Sequence, residues 1–159
     1  LYYMNSKLII LIAITLSFAI SSCRQDEVFR KYQKLDNYQW NKDKNIVYNF
    51  EINDIKSIYD VLIAIRHTPQ YPYANLQLNM SIISPSGQER TKDHDLYIRN
   101  NNGSFKGEGM GDIYDVEFLT LEKINFTEQG KYTVELHSLM PKYSTPALME
   151  IGLIIKKSK

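Results

Sequence analysis

The sequence predicts an all-β protein: an antiparallel β-sandwich, immunoglobulin-like or jelly-roll-like, with seven or eight strands. Apolar and polar residues alternate along several short segments, which is the period of a strand with one buried face. Turn-forming residues, mainly Gly, Pro, Asn and Asp, separate these segments, and no convincing helical period is found among them. A partly closed barrel is the alternative arrangement.

The first 22 residues are typical of a lipoprotein signal peptide. An apolar run, 8–20, follows Lys7 and ends at Ser21-Ser22-Cys23. The run is shorter than the roughly 20 apolar residues that a membrane-spanning helix needs. We therefore predict that 1–22 is removed and that Cys23, the only cysteine, carries a covalent lipid, with no other cofactor. An uncleaved signal anchor, or ordinary cleavage nearby that leaves Cys23 free, is the alternative.

A lipidated Cys23 would hold the mature chain at a membrane, because several acyl chains each contribute about 0.8 kcal/mol per buried CH₂. We expect translation to start at Met4 and the printed chain to be the unprocessed form. Residues 24–27, Arg-Gln-Asp-Glu, form a polar tether or an acidic signal for export to the outer leaflet. The sequence leaves both the membrane and the leaflet open.

The charge balance argues against nucleic-acid binding. Residues 1–22 contain one charged residue, Lys7, so 19 Lys+Arg against 18 Asp+Glu become 18 against 18 in the mature chain. A net charge of zero gives no electrostatic attraction for a phosphate backbone. The mature chain has the length of one domain, and its stability must come from packing, to which 12 tyrosines and 6 phenylalanines contribute.

We divide the mature chain into a lipidated tether and docking segment, 23–44, and a β-sandwich domain, 45–159. Aromatic residues between Val28 and Trp40 are scattered among charges without a period, so we expect this segment to dock one or two of them onto the domain.

The domain begins with two strands of different character. Ile46–Ile52 alternates strictly, as a strand with one buried face requires. Tyr59–Arg66 is apolar on both faces, so we expect a central strand covered on both sides. Further strands are predicted at 75–84, 96–98, 115–121, 131–139 and 150–156, with 88–95 an edge strand or loop. The last strand is rich in β-branched residues and is predicted to be central.

One glycine-rich segment, Gly103–Asp112, is a candidate binding site. Its pattern Gly107-x-Gly109-x-Gly111 resembles a phosphate loop, but no strand-to-helix context surrounds it and no Gly-Lys-Ser/Thr ending follows. Such glycines more often mark positive φ, a bulge or a close approach of two backbones. A binding loop is the second interpretation. Calcium binding is the third, with oxygen ligands from Asp112, Asp115, Glu117, Asp93 and Asp95.

No residue pattern indicates catalysis. The three histidines, His67, His94 and His137, have no metal or nucleophile partner at a diagnostic spacing. No pair of acids can be assigned to acid and base roles. We therefore predict that the protein is not an enzyme.

Six short motifs, taken in order, resemble the GldH family of gliding-motility lipoproteins from Bacteroidota over nearly the whole mature length. They are Tyr32-Gln33 followed by Trp40, Ile65-Arg66-His67-Thr68, Tyr71-Pro72-Tyr73-Ala74-Asn75-Leu76, the glycine pattern continued by Asp112-Ile113-Tyr114-Asp115, Gly130-Lys131-Tyr132, and Ile151-Gly152-Leu153. His67 stands where the family leads us to expect asparagine.

The resemblance implies a component of the gliding machinery of the cell envelope, which is linked to type IX protein secretion. Its partners would be cell-envelope proteins, including other gliding or secretion lipoproteins, and no catalytic residues are implied. The candidate interaction residues are Tyr71, Tyr73, Asn75, Phe105, Gly107, Gly109, Gly111, Asp112 and Tyr114. The alternative for the aromatic residues is packing against their own sheets. A general envelope role or surface glycan binding, the latter favoured by Trp40 and the tyrosines, is the alternative function.

Overall fold

The computed structural model describes residues 26–159, whose two larger antiparallel β-sheets pack face to face. Residues 1–25, which include the predicted signal peptide and Cys23, lie outside the described part of the chain. The strands are β1 (Glu27–Lys34), β2 (Gln39–Asn41), β3 (Ile46–Ile52), β4 (Tyr59–His67), β5 (Asn75–Ile83), β6 (Glu89–Tyr97), β7 (Glu108–Met110), β8 (Ile113–Ile124), β9 (Gly130–Ser138), β10 (Ser144–Pro146) and β11 (Leu148–Lys157).

The order of the strands is that of a jelly roll. One sheet has the order β1-β11-β4-β8-β7 and the other β3-β9-β5-β6, while β2 and β10 form a separate pair. Apart from the three-residue strands, every connection crosses from one sheet to the other except β5 to β6, so the chain crosses between the sheets six times. The resulting orders β1-β11-β4-β8 and β3-β9-β5-β6 are those of an eight-stranded jelly roll. The predicted antiparallel sandwich is therefore confirmed, and the topology selects the jelly roll from the two types of sandwich that the sequence allowed.

The core lies between the inner faces of the two sheets, as the alternation predicts. In β3 the side chains of Ile46, Tyr48, Phe50 and Ile52 are buried, and the residues between them are exposed. The Tyr48 hydroxyl donates a hydrogen bond to the Ile151 carbonyl oxygen across the sandwich at 2.6 Å. A buried phenol without such a partner would lose its hydration uncompensated, so this bond removes the cost of burying Tyr48.

The strands predicted to be central are central. β4 pairs with β11 on one side and β8 on the other, and β11 lies between β1 and β4. Val61, Ile63 and Ile65 of β4 face the main core. Leu62 and Ala64 form a second, small buried cluster with Ile154 on the opposite face of the same sheet.

The sandwich starts before the boundary predicted at residue 45. Glu27–Lys34, most of which was predicted as a docking segment, is strand β1, hydrogen-bonded to β11 at the edge of the five-stranded sheet. Its outer side is exposed and its inner side contributes mainly Phe29, which contacts the Tyr48 and Phe50 rings. An edge strand with so few buried side chains has little apolar alternation, which is why its pattern was missed. The sandwich therefore begins at Glu27.

Two further strands differ from prediction. The polar segment 88–95, predicted as an edge strand or loop, is an edge strand, but it is continuous with the predicted strand 96–98: both belong to β6 (Glu89–Tyr97), which pairs with β5 over nine residues. β8 extends to Ile113–Ile124, longer than the predicted 115–121. Within residues 26–159, no helix is both long and apolar enough to cross a bilayer.

Candidate functional site

The glycine pattern forms a β-hairpin at one end of the five-stranded sheet. Glu108, Gly109 and Met110 of β7 pair with Asp115, Tyr114 and Ile113 of β8. Gly111 and Asp112 make the turn between them, and Gly111 has a φ of +63°. The Met110 side chain lies next to this turn and is 86% exposed. The hairpin therefore presents a large, flexible apolar side chain to solvent.

Gly107 fixes the root of this hairpin. Its φ is +88°, and a Cβ atom at this position would lie 2.0 Å from the carbonyl oxygen of Asp115. At Gly109 a Cβ would lie 3.1 Å from Cε1 of the Tyr114 ring. Two of the three glycines thus permit close approach of β7 to β8, and Gly111 supplies positive φ in the turn. Positive φ and close approach of two backbones are among the explanations that the sequence favoured for the glycine pattern.

Next to the hairpin, three aromatic rings pack around the buried His67, and a fourth packs on one of the three. Its ring centroid lies 5.7 Å from that of Tyr71, 4.7 Å from that of Phe105 and 5.4 Å from that of Tyr114, with which it stacks. Phe105 and Tyr114 contact each other at 4.9 Å, and Tyr73 packs edge-on against Tyr71. We call these five residues the His67 cluster. The cluster brings the glycine-rich segment, which contributes Phe105, together with the neighbouring motifs that contain His67 and Tyr71, more than 30 residues earlier in the chain.

His67 is held as a neutral imidazole. Its Nδ1 lies 2.9 Å from the Thr68 carbonyl oxygen, which can only accept, so Nδ1 carries the proton. Its Nε2 atom is buried and has no hydrogen-bond partner among the described residues. Burial lowers the pKa of His67, and the positive charge of Arg99 lowers it further. This imidazole is therefore a packing group at neutral pH.

Arg99 closes the cluster from the loop after β6. Its guanidinium lies 3.8 Å from the centroid of the Phe105 ring, within the range of a cation–π interaction. The same guanidinium donates hydrogen bonds to the carbonyl oxygens of Gly103 and Tyr71, at 2.8 and 3.0 Å. Arg99 thus ties the glycine segment to the loop before β5, and the sequence analysis did not identify it.

The predicted interaction residues divide into buried and exposed groups. Tyr71 has no exposed surface and donates a hydrogen bond to the Asn75 carbonyl oxygen at 2.8 Å. Burial also raises the pKa of its hydroxyl. Because a side chain without exposed surface cannot contact a partner, Tyr71 is a core residue and its prediction as an anchor is wrong. Tyr73, Phe105 and Tyr114 are half-buried.

Asn75 is also half-buried, and its amide donates a hydrogen bond to the Asp95 carboxylate. Gly107, Gly109, Gly111 and Asp112 are exposed. An interaction role at these residues stays a prediction.

A network of ion pairs covers the outer face of the five-stranded sheet next to the hairpin. Arg66 contacts Asp115 at 2.7 Å and Glu150 at 3.2 Å, and the Asp115 carboxylate raises the pKa of Arg66. Arg30 bridges Glu27 and Glu117 at 2.9 and 2.7 Å, and it also donates a hydrogen bond to the Tyr32 hydroxyl.

The Tyr32 ring lies against Gly152, where a Cβ would be 2.7 Å from its Cδ1. Several family motifs therefore meet on this face, although the sequence alone did not indicate the contacts.

The carboxylates predicted as possible calcium ligands belong to different parts of the molecule. Asp93 and Asp95 accept hydrogen bonds from Asn79 and Asn75 on the four-stranded sheet, while Asp115 and Glu117 belong to the ion-pair network. No group of three or more His, Cys, Asp or Glu among residues 26–159 is close enough to hold a metal ion.

Trp40 does not support glycan binding. It is 1% exposed and its Nε1 donates to the Lys44 carbonyl oxygen at 2.8 Å. A sugar stacks on an exposed ring face, which this indole lacks.

Comparison with known proteins agrees with the motifs. The model of the GldH lipoprotein family matches residues 27–155. The gliding motility lipoprotein GldH homolog of Christiangramia forsetii is 30% identical over 164 residues, which cover 98% of this chain and 99% of that protein. The gliding motility lipoprotein GldH of Flavobacterium johnsoniae is 29% identical over 132 residues, covering 83% and 79% of the two chains.

Among solved structures, the fold is similar to TmCBM61 in complex with beta-1,4-galactotriose, with a TM-score of 0.36, 12% identity and coverage of 81% of this chain and 82% of the other. It is also similar to CBM35 from Cellvibrio japonicus Abf62, with a TM-score of 0.32, 14% identity and coverage of 84% and 91%. Scores this low support no conclusion about this chain. The sequence matches do support an assignment to a family, because they span nearly the whole described domain and include the motifs of the hairpin and the His67 cluster. The chain belongs to the GldH lipoprotein family.

Proposed function

We propose that this protein is a lipid-anchored component of the gliding-motility and type IX secretion machinery, and that it works by binding another envelope protein and not by transforming a substrate. Membership in a family of gliding motility lipoproteins supports a membrane-anchored place in the cell envelope. The lipoprotein signal that ends at Cys23 supports the same location. Anchoring at a surface raises the effective concentration of partners there, so a modest interface is sufficient for assembly.

The observation that carries the proposal is the contrast between the tip and the root of the β7–β8 hairpin. Met110 at the tip is 86% exposed, whereas the root is fixed by Gly107 and the His67 cluster. A methionine held on a rigid support suits protein binding, because the support loses little conformational entropy and the flexible thioether adapts to the partner surface. Tyr73, Phe105 and Tyr114 would form the half-buried base of this interface.

The test is replacement of the chromosomal gene by a Met110→Gln variant in the bacterium from which the chain comes. We expect normal protein levels, with loss of colony spreading where the strain glides and reduced type IX secretion. Leu119→Gln is the matched control, because Leu119 is also an exposed apolar residue of the same sheet, 50% exposed, but lies farther along β8, beyond the residues that pair with β7. A photo-crosslinker at residue 110 should join the chain to a gliding or secretion component.

A Met110→Gln strain that spreads and secretes like the wild type would contradict the role of the hairpin. A Cys23→Ala strain tests the anchor separately. We expect the variant to leave the membrane fraction and to lose incorporation of a labelled fatty acid, and retention of both properties would contradict lipidation.

A further inference from the structure

An apolar cavity of about 260 Å³ opens on the side of the sandwich, toward the opposite end of β8 from the hairpin. It lies between β5 and β6 of one sheet and the last part of β8 in the other, next to the loop that leads to β9. Its apolar wall comes from both sheets and this loop, and consists of Met80, Ile82, Leu121, Ile124, Phe126 and Tyr132. A wall of this kind favours an alkyl group over water.

The mouth of this cavity carries two cations from the edge strand β6. In the pairing of β5 with β6, Arg90 lies opposite Ile82 and Lys92 lies opposite Met80. Directly paired residues project from the same face of a sheet, and Ile82 and Met80 face the core. Arg90 and Lys92 therefore lie on the inner side of the edge, and both line the cavity.

Acidic residues occupy the other face of β6. The pairing places Glu89 and Asp93 at the alternate positions, where Glu89 accepts a hydrogen bond from Thr91 and Asp93 accepts one from Asn79. No ion pair joins Arg90 or Lys92 to a carboxylate anywhere in residues 26–159, where the pairs present involve other cations. The strand thus segregates its charges, with unpaired cations at the apolar cavity and anions outside.

Inward-pointing charges on an edge strand also discourage pairing with another chain. That role explains the cations of β6 but not the apolar cavity that they border. An apolar cavity with a cationic mouth has the chemistry of a site for an anionic amphiphile, whose alkyl chain fills the cavity while its head group meets the cations.

We propose that this cavity binds one medium-chain fatty acid, with its alkyl chain against Met80, Ile82 and Leu121 and its carboxylate at Arg90 and Lys92. An engineered apolar cavity of roughly 150 Å³ accepts benzene, with six carbons, so 260 Å³ accommodates about ten by proportion. This site goes beyond the proposed function, since it lies away from the hairpin and requires no protein partner.

The test is calorimetric titration of the mature chain, residues 23–159 with Cys23→Ser, with decanoate below its micelle concentration. We expect saturable binding of one molecule, with affinity that falls as salt is added, because the head-group contacts are exposed charges. Replacing Arg90 and Lys92 together by glutamine should weaken binding about tenfold. Lys31→Gln with Lys34→Gln is the matched control, because it removes the same charge from the exposed edge of the other sheet.

Further titrations distinguish a carboxylate head group from a neutral or a phosphate head group. 1-Decanol, which lacks the charge, should bind about tenfold more weakly than decanoate, and decyl phosphate tests whether a phosphate head group is preferred. Leu121→Trp, checked for folding by its melting temperature, should fill the cavity and remove binding, whereas Met110→Gln should leave it unchanged. The proposal is overturned by absence of saturable heat, by equal affinity for decanol and decanoate, by unchanged affinity in the Arg90/Lys92 variant, or by binding of decyl phosphate alone.

Discussion

Gly107 should tolerate alanine far less well than Gly111, although both have positive φ in the same hairpin. A Cβ at residue 107 would lie 2.0 Å from the Asp115 carbonyl oxygen, whereas nothing lies within 4 Å of the corresponding position at residue 111. Asp115 cannot move away, because β8 is paired with β4 on one side and β7 on the other. Gly107→Ala must therefore displace the start of β7.

The expected loss in the free energy of unfolding is the sum of two costs. A left-handed conformation costs an L-residue about 1–2 kcal/mol, and this cost applies to both variants. A forced steric overlap in a packed structure adds about 1–3 kcal/mol, and this cost applies only to residue 107. We expect Gly107→Ala to lower the free energy of unfolding by about 2–5 kcal/mol and Gly111→Ala by about 1–2 kcal/mol. For a domain of this size, each kcal/mol corresponds to a shift in melting temperature of about 3 °C.

Urea unfolding of the mature chain with Cys23→Ser measures both values. Amide hydrogen exchange at Glu108–Met110 is the second measurement, because a hairpin that detaches locally would limit the global loss of stability while losing its protection. The reasoning is refuted if Gly107→Ala and Gly111→Ala agree within about 0.5 kcal/mol and the amides of β7 keep their protection.

Three further predictions concern the buried rings. Burial lowers the pKa of both His67 and His94, so the unfolded chain binds protons that the folded chain does not, and stability should fall as pH decreases below about 6.5. His67→Asn should make the free energy of unfolding, measured by urea titration, depend less on pH between about pH 7 and 5. An unchanged pH dependence would contradict this prediction. Tyr71→Ala should cost about 3–5 kcal/mol and Tyr73→Ala less than half as much, because Tyr71 is fully buried and Tyr73 is not. Trp40, the only tryptophan, should emit at short wavelength and resist acrylamide quenching until the protein unfolds, whereas quenching in the native state would place the ring at the surface.

Several features of this protein follow from local sequence because their causes are local. The alternation of Ile46–Ile52 indicates a strand with one buried face. The apolar residues on both faces of β4 indicate a strand that is buried on both faces. Positive φ in the glycine segment can also be predicted from the sequence, since it depends on one residue and its neighbours. The predicted lipoprotein signal is a linear pattern, which depends on no tertiary contact.

Other features depend on contacts between distant residues, and only the tertiary structure decided them. β1 has too few buried side chains to show a period, and its place is set by hydrogen bonds to β11 at the far end of the chain. Tyr71 is a candidate anchor by sequence, but its ring is fully buried and contacts Tyr73 and His67.

The alternating charges of β6 are visible in the sequence, but which face meets the core depends on its register with β5. The sequence alone thus determined most of the strands and the turns between them, and it predicts a lipid anchor. Pairing across long distances determined which side chains are buried, and therefore which surfaces remain for binding, because burial is a property of contacts and not of single residues.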